Sequence, residues 1–163
     1  MALERLANER WGFETNCFVC EPRNPLGLRI AFFHDTDAHE VVATPTFGPE
    51  HSGAPSYVHG GVQLAVLDEA MAWAAIALAG RFAVTATFTS AFRRPVRVGT
   101  NYRVAARLSP ASADATTLEA SSHIVAPDGK VCTEATGTLV VLSEAHAVDA
   151  GVVVSEPLRN YLT

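Results

Sequence analysis

The stretch "SYVHGGVQLAVLDEAMAWAA", from Ser56 to Ala75, holds residue types that can support chemistry. His59 is followed by two glycines, and two adjacent carboxylates, Asp68 and Glu69, lie inside an otherwise apolar segment. Burying an unpaired charge is costly, so proteins usually exclude such a group, pair it or use it. The acidic pair therefore needs either a partner or a function.

Gly60 and Gly61 stand where a helix is expected to begin. The first backbone N–H groups of a helix lack partners, the helix dipole is positive there, and glycine lets a ligand approach closely. Such a position suits a carbonyl oxygen that gains negative charge in a transition state. The alternative is a simple turn in which His59 caps the helix.

Asp68 lies eight residues beyond Gly60, which places the two about 12 Å apart along one helix axis. One chain cannot aim both groups at a single carbonyl, whereas a second copy of the helix packed antiparallel could bring its Asp68 beside Gly60 of the first. The spacing predicts two equivalent sites at the interface of a C2 homodimer. Glu69 is turned about 100° from Asp68, and we expect it to form a salt bridge with an arginine.

A carboxylate beside a polarised carbonyl can act as a general base on water or attack directly as a nucleophile. Both routes hydrolyse acyl compounds. The sequence has no G-x-S-x-G nucleophile elbow and no phosphate-loop or dinucleotide glycine pattern.

The elements that must position these groups follow from composition. Residues 62–79 contain neither proline nor glycine, which predicts one long helix that ends at Gly80. A hairpin is predicted in "LRIAFFHDTDAHEVVATPTF", an irregular loop in "GPEHSGAPSYVHGG", and four long strands in "FAVTATFTSAFRR", "TNYRVAARLS", "TTLEASSHIVA" and "KVCTEATGTLVVLS". A helix this apolar must be wrapped by the sheet.

We expect one α+β domain over residues 1–163, with an N-terminal helix and loop in 1–27 and a C-terminal tail in 144–163 that is mobile or docks late. The net charge of −5 argues against nucleic-acid binding. The uncharged apolar run 70–80 is too short to cross a bilayer, and the N-terminus lacks signal-peptide features, which favours a cytoplasmic protein without a membrane partner.

Cys17 and Cys20 have the spacing of a metal knuckle, yet no second pair follows and His34 and His39 are only loosely placed, so no metal is predicted. The basic residues cluster in "RRPVRVGTNYR", where Arg93, Arg94 and Arg97 are either a solvated strand end or contacts for phosphate.

Three motifs together resemble the hotdog-fold acyl-CoA thioesterases, specifically the phenylacetate-pathway (PaaI-like) branch of the 4-hydroxybenzoyl-CoA thioesterase superfamily. They are "CFVCEPRNPLGL", "GAPSYVHGGVQLAVLDEAM" and "TATFTSAFRRPVRVGTNYRV". The resemblance implies the hotdog fold, a long central helix wrapped by a five- or six-stranded antiparallel sheet. It also implies homodimers, commonly paired into tetramers, with active sites at the dimer interface.

The resemblance further implies hydrolysis of an acyl-CoA to a free acid and CoA, with no cofactor because CoA is part of the substrate. It assigns Asp68 as base or nucleophile, Gly60 as the amide that polarises the thioester carbonyl, and His59 as a group that shapes the site. Thr85 matches a position that often orients the attacking water. Substrate contacts are expected from Gly61, Ser52, Arg93, Arg94 and Arg97.

Gly53 departs from the pattern, because many relatives carry Asn or Gln six residues before the histidine to help hold the thioester oxygen. His51 or Ser52 could substitute, or Gly60 could act alone. The sequence leaves two other functions open: a non-catalytic acyl-CoA binding or sensor protein, and an acyl-thioester dehydratase. The dehydratase lacks support because neither His-Phe-Pro nor an Asp followed five residues later by His is present.

Overall fold

The strands and helices occupy most of the chain in the structure, a computed structural model that describes residues 2–12 and 15–163. The strands are β1 Leu3–Leu6, β2 Phe32–Asp35, β3 Glu40–Ala43, β4 Ser52–Ala54, β5 Tyr57–Val58, β6 Ala83–Phe92, β7 Arg103–Leu108, β8 Thr117–Val125 and β9 Val131–Val141. The α-helices are α1 Gly60–Ala79, α2 Glu144–Asp149 and α3 Glu156–Arg159, and short 3-10 helices span Asn8–Trp11 and Pro49–His51.

Seven strands form one antiparallel sheet in the order β1-β2-β3-β7-β8-β9-β6. The predicted hairpin is confirmed as β2 and β3, and the four long strands are confirmed as β6 to β9. The resemblance implied five or six strands, and β1 is the additional one. Strand β6, ten residues long, lies at one edge of the sheet and pairs only with β9 among the described residues.

Helix α1 lies against the sheet and contacts β2, β3 and β6 to β9. Its buried face includes Val66, Leu67, Ala70 and Met71, so the prediction that the sheet wraps this helix is confirmed. The helix ends at Gly80, whose φ of 63° is the left-handed conformation that glycine adopts readily. By length and composition alone α1 could cross a membrane, and no other described helix could, but a buried core helix meets the same criteria.

The expected N-terminal helix is wrong. Residues Leu3–Leu6 form β1, which pairs with β2 from Leu3 opposite Asp35 to Leu6 opposite Phe32. The apolar spacing of this segment suits a helix locally, but β2 offers an unpaired edge whose backbone groups need partners. Only Asn8–Trp11 turn helically, as a single 3-10 turn.

The segment before α1 is more ordered than the irregular loop we expected. Residues Pro49–His51 form a 3-10 turn, and β4 and β5 form a two-stranded ribbon. The His51 carbonyl accepts from the His59 N–H at 2.9 Å, and the Val58 N–H donates to the Val96 carbonyl at 2.8 Å. These bonds fix the direction in which the chain enters α1.

The C-terminal tail docks, which is one of the two alternatives that we expected for it. The Phe82 N–H donates to the Tyr161 carbonyl at 2.7 Å, and the Thr163 N–H donates to the Leu142 carbonyl at 3.0 Å. Trp11 lies 5.7 Å from the Tyr161 ring and 5.7 Å from Trp73 of α1, centroid to centroid. The two ends of the described chain therefore meet over the helix in one aromatic cluster.

Replacing Trp11 with alanine tests this cluster. Trp11 is 2% exposed, so Trp11→Ala should lower the free energy of unfolding by about 3–5 kcal/mol, as large-to-small core changes do. Urea unfolding followed by circular dichroism measures this, with Leu26→Ala, at a side chain 85% exposed, as the control that should leave the midpoint unchanged. Equal midpoints for the two variants would contradict the docking.

Candidate active site

The start of α1 presents one backbone donor that no described group uses. His59 is the N-cap, and its Nδ1 accepts from the Gly61 N–H at 2.9 Å. The Gly60 N–H has no acceptor among the described residues. Helix α1 therefore begins with a free amide at the positive end of a 20-residue helix.

The aromatic side chain of Phe92 lies directly beside this amide. A Cβ added at Gly60 would stand 3.2 Å from Phe92 Cζ. The absence of a side chain at Gly60 therefore makes room for the Phe92 ring. Phe92 is the last residue of β6 and is 54% exposed. The start of α1 thus lies at the C-terminal end of the edge strand.

Asp68, two turns along α1, is held from the other end of the same strand. The Thr85 hydroxyl donates to Asp68 Oδ1 at 2.6 Å. The pairing of β6 with β9 shifts between Thr85 and Thr87, so Ala86 is an extra residue on the edge strand. Such bulges re-aim neighbouring side chains and occur often beside functional sites.

Within one chain the amide and the carboxylate do not meet. Eight residues of helix separate Gly60 and Asp68, which is about 12 Å. Four cavities in the described part of the chain have volumes from about 220 to about 410 Å³, and none of these four is lined by Gly60, Asp68 or Thr85. Such a separation of the amide from the carboxylate is expected of a site that a second copy of the chain completes.

The expected salt bridge between Glu69 and an arginine is wrong, because Glu69 lies against the N-terminal loop. Its Oε1 is 3.4 Å from Cys17 Sγ. The pKa of Glu69 is raised to about 8, chiefly by burial and then by the negative charge of the neighbouring Cys17 thiolate. The two adjacent carboxylates of α1 therefore face different surroundings.

The pKa values of the two thiols next to Glu69 are shifted in opposite directions. The pKa of Cys17 is lowered to about 5, chiefly because the Cys20 thiol donates to its sulfur, and also because the Cys20 and Val19 amides do so. The same hydrogen bond raises the pKa of Cys20, since Cys20 is the donor. Cys17 is thus the more acidic thiol of the pair.

The three arginines that we expected to bind substrate differ in whether a carboxylate already pairs with them. Arg93 pairs with Glu134 and Arg94 with Asp128, at 2.6 and 3.1 Å. Arg97 has no carboxylate partner among the described residues, and its guanidinium lies over the Tyr57 ring, 5.2 Å from the centroid. Only Arg97 therefore presents an uncommitted charge.

The residues expected to replace the missing upstream amide are already engaged. The Ser52 hydroxyl donates to the Pro49 carbonyl at 2.7 Å, and His51 Nδ1 accepts from the Gly48 N–H at 3.1 Å. A Cβ at Gly53 would stand 3.2 Å from both Cα and Cδ2 of His59. The His59 ring thus takes part of the space that a longer side chain at position 53 would enter.

Gln63 is a positioning residue that our reading of the sequence missed. It is 4% exposed, its Nε2 donates to the Val58 carbonyl at 2.9 Å, and its Oε1 accepts from the Thr133 hydroxyl. These bonds tie the first turn of α1 to β5 and β9. The available signal was a single amide in an otherwise apolar helical turn.

Comparisons with known proteins agree with this architecture. The family model described as the thioesterase superfamily matches residues 56–133, just under half of the chain, which includes α1 and β6. A solved thioesterase superfamily protein is 27% identical with a TM-score of 0.66, over 73% of this chain and 57% of its own. This chain therefore spans less than two thirds of the length of that relative. No curated protein matches the sequence.

Two further solved structures share the fold. The PaaI protein of E. coli, from the phenylacetic acid degradation operon, is 23% identical with a TM-score of 0.59, over 64% of this chain and 74% of its own. A Streptococcus mutans protein crystallised with acetyl-CoA is 18% identical with a TM-score of 0.59, over 63% and 81%. The predicted hotdog architecture is confirmed, with seven strands in the sheet.

Replacing His59 tests its role as the cap of α1. His59→Ala should lower the free energy of unfolding by about 1 kcal/mol, because the Gly61 N–H loses its acceptor, whereas His59→Asn should keep the cap. Urea unfolding midpoints measure the difference. A wild-type midpoint for His59→Ala would contradict the capping role.

Proposed function

Residues 56–133 match the family model of the thioesterase superfamily, and from this similarity we propose that the protein hydrolyses an acyl-CoA to a carboxylic acid and CoA. The observation that carries the proposal is the hydrogen bond from Thr85 to Asp68, which orients a carboxylate in the middle of an apolar helix. A carboxylate placed in this way, within a segment of this family, is suited to act on a thioester.

In the proposed reaction the thioester carbonyl oxygen accepts from the Gly60 N–H, which offsets the charge that develops as the carbonyl carbon becomes tetrahedral. Asp68 either takes a proton from the water that attacks this carbon or attacks it directly, giving a mixed anhydride that water then cleaves. In both routes the C–S bond breaks and the CoA sulfur leaves with a proton. Thr85 holds one Asp68 oxygen and leaves the other for the reaction.

The edge strand β6 supports a homodimeric site. It is ten residues long, contains no proline, and has one side without a strand partner among the described residues, which is the kind of edge that pairs with another chain. If two copies pair antiparallel about a point between Phe88 and Thr89, Thr85 of one copy lies opposite Phe92 of the other. Asp68 then approaches Gly60 of the second copy, because Thr85 contacts Asp68 and Phe92 contacts Gly60.

Two observations, the Arg97 guanidinium without a carboxylate partner among the described residues and the ligands of structural neighbours, support a CoA ester as the substrate class. Proteins of the same fold were crystallised with acetyl-CoA and with CoA, which supports a CoA ester. We assign Arg97 before Arg93 and Arg94 to the CoA phosphates, because the latter two are already paired with carboxylates. Phe92, exposed beside Gly60, is the best-placed apolar contact for the acyl group, since Met71 and Trp73 are buried in the core.

A second candidate function is acyl-CoA binding without hydrolysis. Gly53 favours it, because that position provides no side-chain donor to assist Gly60 at the carbonyl oxygen. This function uses the same Gly60 amide and the same phosphate contact at Arg97. It differs from the first in product formation alone.

Substitution of Asp68 tests the proposed base. Asp68→Asn should reduce the hydrolysis of acyl-CoA by at least about a hundredfold, because asparagine can neither accept the proton nor form the anhydride. Thr85→Ala should cause a smaller loss that Thr85→Ser, which keeps the hydroxyl, restores. The assay is thiol release from a panel of aliphatic and aryl CoA esters, with circular dichroism to check the fold.

Two outcomes would decide against the proposal. Normal hydrolysis by Asp68→Asn would remove Asp68 from the reaction. Tight binding of the CoA esters by the wild-type protein, with no thiol released from any of them, would select the binding function instead.

A mixed dimer tests whether the site is shared between copies. Gly60→Pro removes the N–H at the first helical position, where proline is well tolerated, and adds a Cβ that stands 3.2 Å from Phe92 Cζ. His59 has φ −57° and ψ 135°, which suit a residue before proline. The Gly60→Pro and Asp68→Asn homodimers should both be inactive. A dimer with one copy of each, isolated through two affinity tags, should have about half the wild-type turnover, since one of its two sites is intact.

Two controls make this result specific. Gly60→Ala adds a side chain but keeps the amide, so it should retain more activity than Gly60→Pro. A mixed dimer of Asp68→Asn with Thr85→Ala should gain nothing over the two parents, because those residues act within one chain. An inactive Gly60→Pro and Asp68→Asn mixed dimer would show that the site is not shared.

A further inference from the structure

We infer that Cys17, Cys20 and Glu69 form a binding site for a zinc-type divalent cation, which ties the N-terminal loop to α1 beside Asp68. The Sγ atoms of the two cysteines and a carboxylate oxygen of Glu69 all lie within 4.8 Å of one another. The cysteines come from one turn of the loop and Glu69 comes from the helix. The site is separate from the groups proposed to act on the thioester.

The distances between the ligand atoms suit a tetrahedral ion. With Zn–S of about 2.3 Å and Zn–O of about 2.0 Å, tetrahedral geometry places sulfur and oxygen ligands about 3.5 Å apart. Cys17 Sγ and Glu69 Oε1 are 3.4 Å apart. The Cys17 and Glu69 ligand atoms are therefore already at the separation that a shared metal ion requires.

The backbone around Cys17 is arranged to hold a charged sulfur. The Val19 and Cys20 N–H groups both donate to Cys17 Sγ at 3.4 Å. The loop is itself fixed, because the Leu28 N–H donates to the Phe18 carbonyl at 2.7 Å and the Ile30 N–H donates to the Val19 carbonyl at 2.8 Å. A preformed turn of this kind reduces the ordering cost of binding.

The donor set selects the class of ion. Two thiolates and one carboxylate favour zinc or another soft to borderline transition metal over magnesium or calcium, which prefer sites made of oxygen. Zinc in a protein takes four ligands, and three are present here. The fourth position is open to a water molecule.

A cavity of about 250 Å³ borders this group and is lined by Asn8, Cys20 and Trp73, among others. The Trp73 side chain is one turn beyond Glu69 on α1, and its Nε1 is a buried donor with no acceptor among the described residues. A buried donor normally has a partner. This donor is therefore an unsatisfied polar group one turn of α1 from Glu69.

Metal binding to the reduced, full-length protein tests the proposal. After removal of metal with a chelator, cobalt chloride should give a thiolate-to-cobalt charge-transfer band and the visible bands of a tetrahedral complex, saturating at one ion per chain. Zinc chloride should displace the cobalt. Zinc should also raise the melting temperature, because an ion that binds the folded state stabilises it.

Variants assign the ligands. Cys20→Ser and Glu69→Gln should each weaken cobalt binding by at least about tenfold, as the loss of one ligand does, and Cys20→Ser should also diminish the charge-transfer band. The matched control is Cys132→Ser, since Cys132 is buried elsewhere and its sulfur contacts the Lys130 carbonyl. It should bind cobalt as the wild-type protein does.

Three results would overturn the site. The first is the absence of a cobalt–thiolate band in reduced wild-type protein that is folded by circular dichroism. The second is wild-type cobalt affinity in both Cys20→Ser and Glu69→Gln. The third is a Cys17–Cys20 disulfide that persists in excess reductant, which would assign the pair to redox chemistry. None of these results depends on thioester hydrolysis.

Discussion

The structure depends on the burial of one long apolar helix that carries two adjacent carboxylates. Helix α1 is covered by six strands of the sheet, so any charge on it must find a partner or remain at an uncovered face. Asp68 and Glu69 point about 100° apart, and each meets a different element. Asp68 meets the edge strand through Thr85, and Glu69 meets the N-terminal loop through Cys17.

The edge strand links the fold to the proposed function. Strand β6 contacts the start of α1 through Phe92 and the middle of α1 through Thr85. Antiparallel pairing of two β6 strands would therefore bring Gly60 of one copy close to Asp68 of the other. A helix rises only about 1.5 Å per residue, so no rearrangement of a single rigid copy brings Gly60 to Asp68. In a two-fold symmetric dimer, Asp68 of one copy can lie beside Gly60 of the other, which is impossible within one copy.

The central part of the fold could be predicted from the sequence because its signals are local. The helix over residues 60–79 follows from composition, and its end follows from Gly80, while β6 to β9 follow from β-branched residues between turn signals. The helix starts two residues before the predicted Val62, since the two glycines form its first turn. The candidate residues Asp68, Gly60 and His59 were found by spacing along this one helix.

The termini could not be predicted because their structure depends on distant partners. Leu3–Leu6 become a strand only because β2 presents a free edge, and the C-terminal tail is ordered by Trp11, a residue about 150 positions earlier in the chain. The environment of Glu69 has the same origin, since Cys17 precedes it by 52 residues. No pattern within one segment contains these contacts, whose formation depends on long-range closure of the chain.

The contacts of the two carboxylates also bear on how the base would be aligned. Reaction with a thioester requires the reacting atoms to lie within a few tenths of an ångström of a productive arrangement. Thr85 holds α1 through Asp68 on one side, and the Cys17 and Cys20 turn holds it through Glu69 on another. The two acidic residues are neighbours on one helix, so the contact between Cys17 and Glu69 lies one residue from the proposed base.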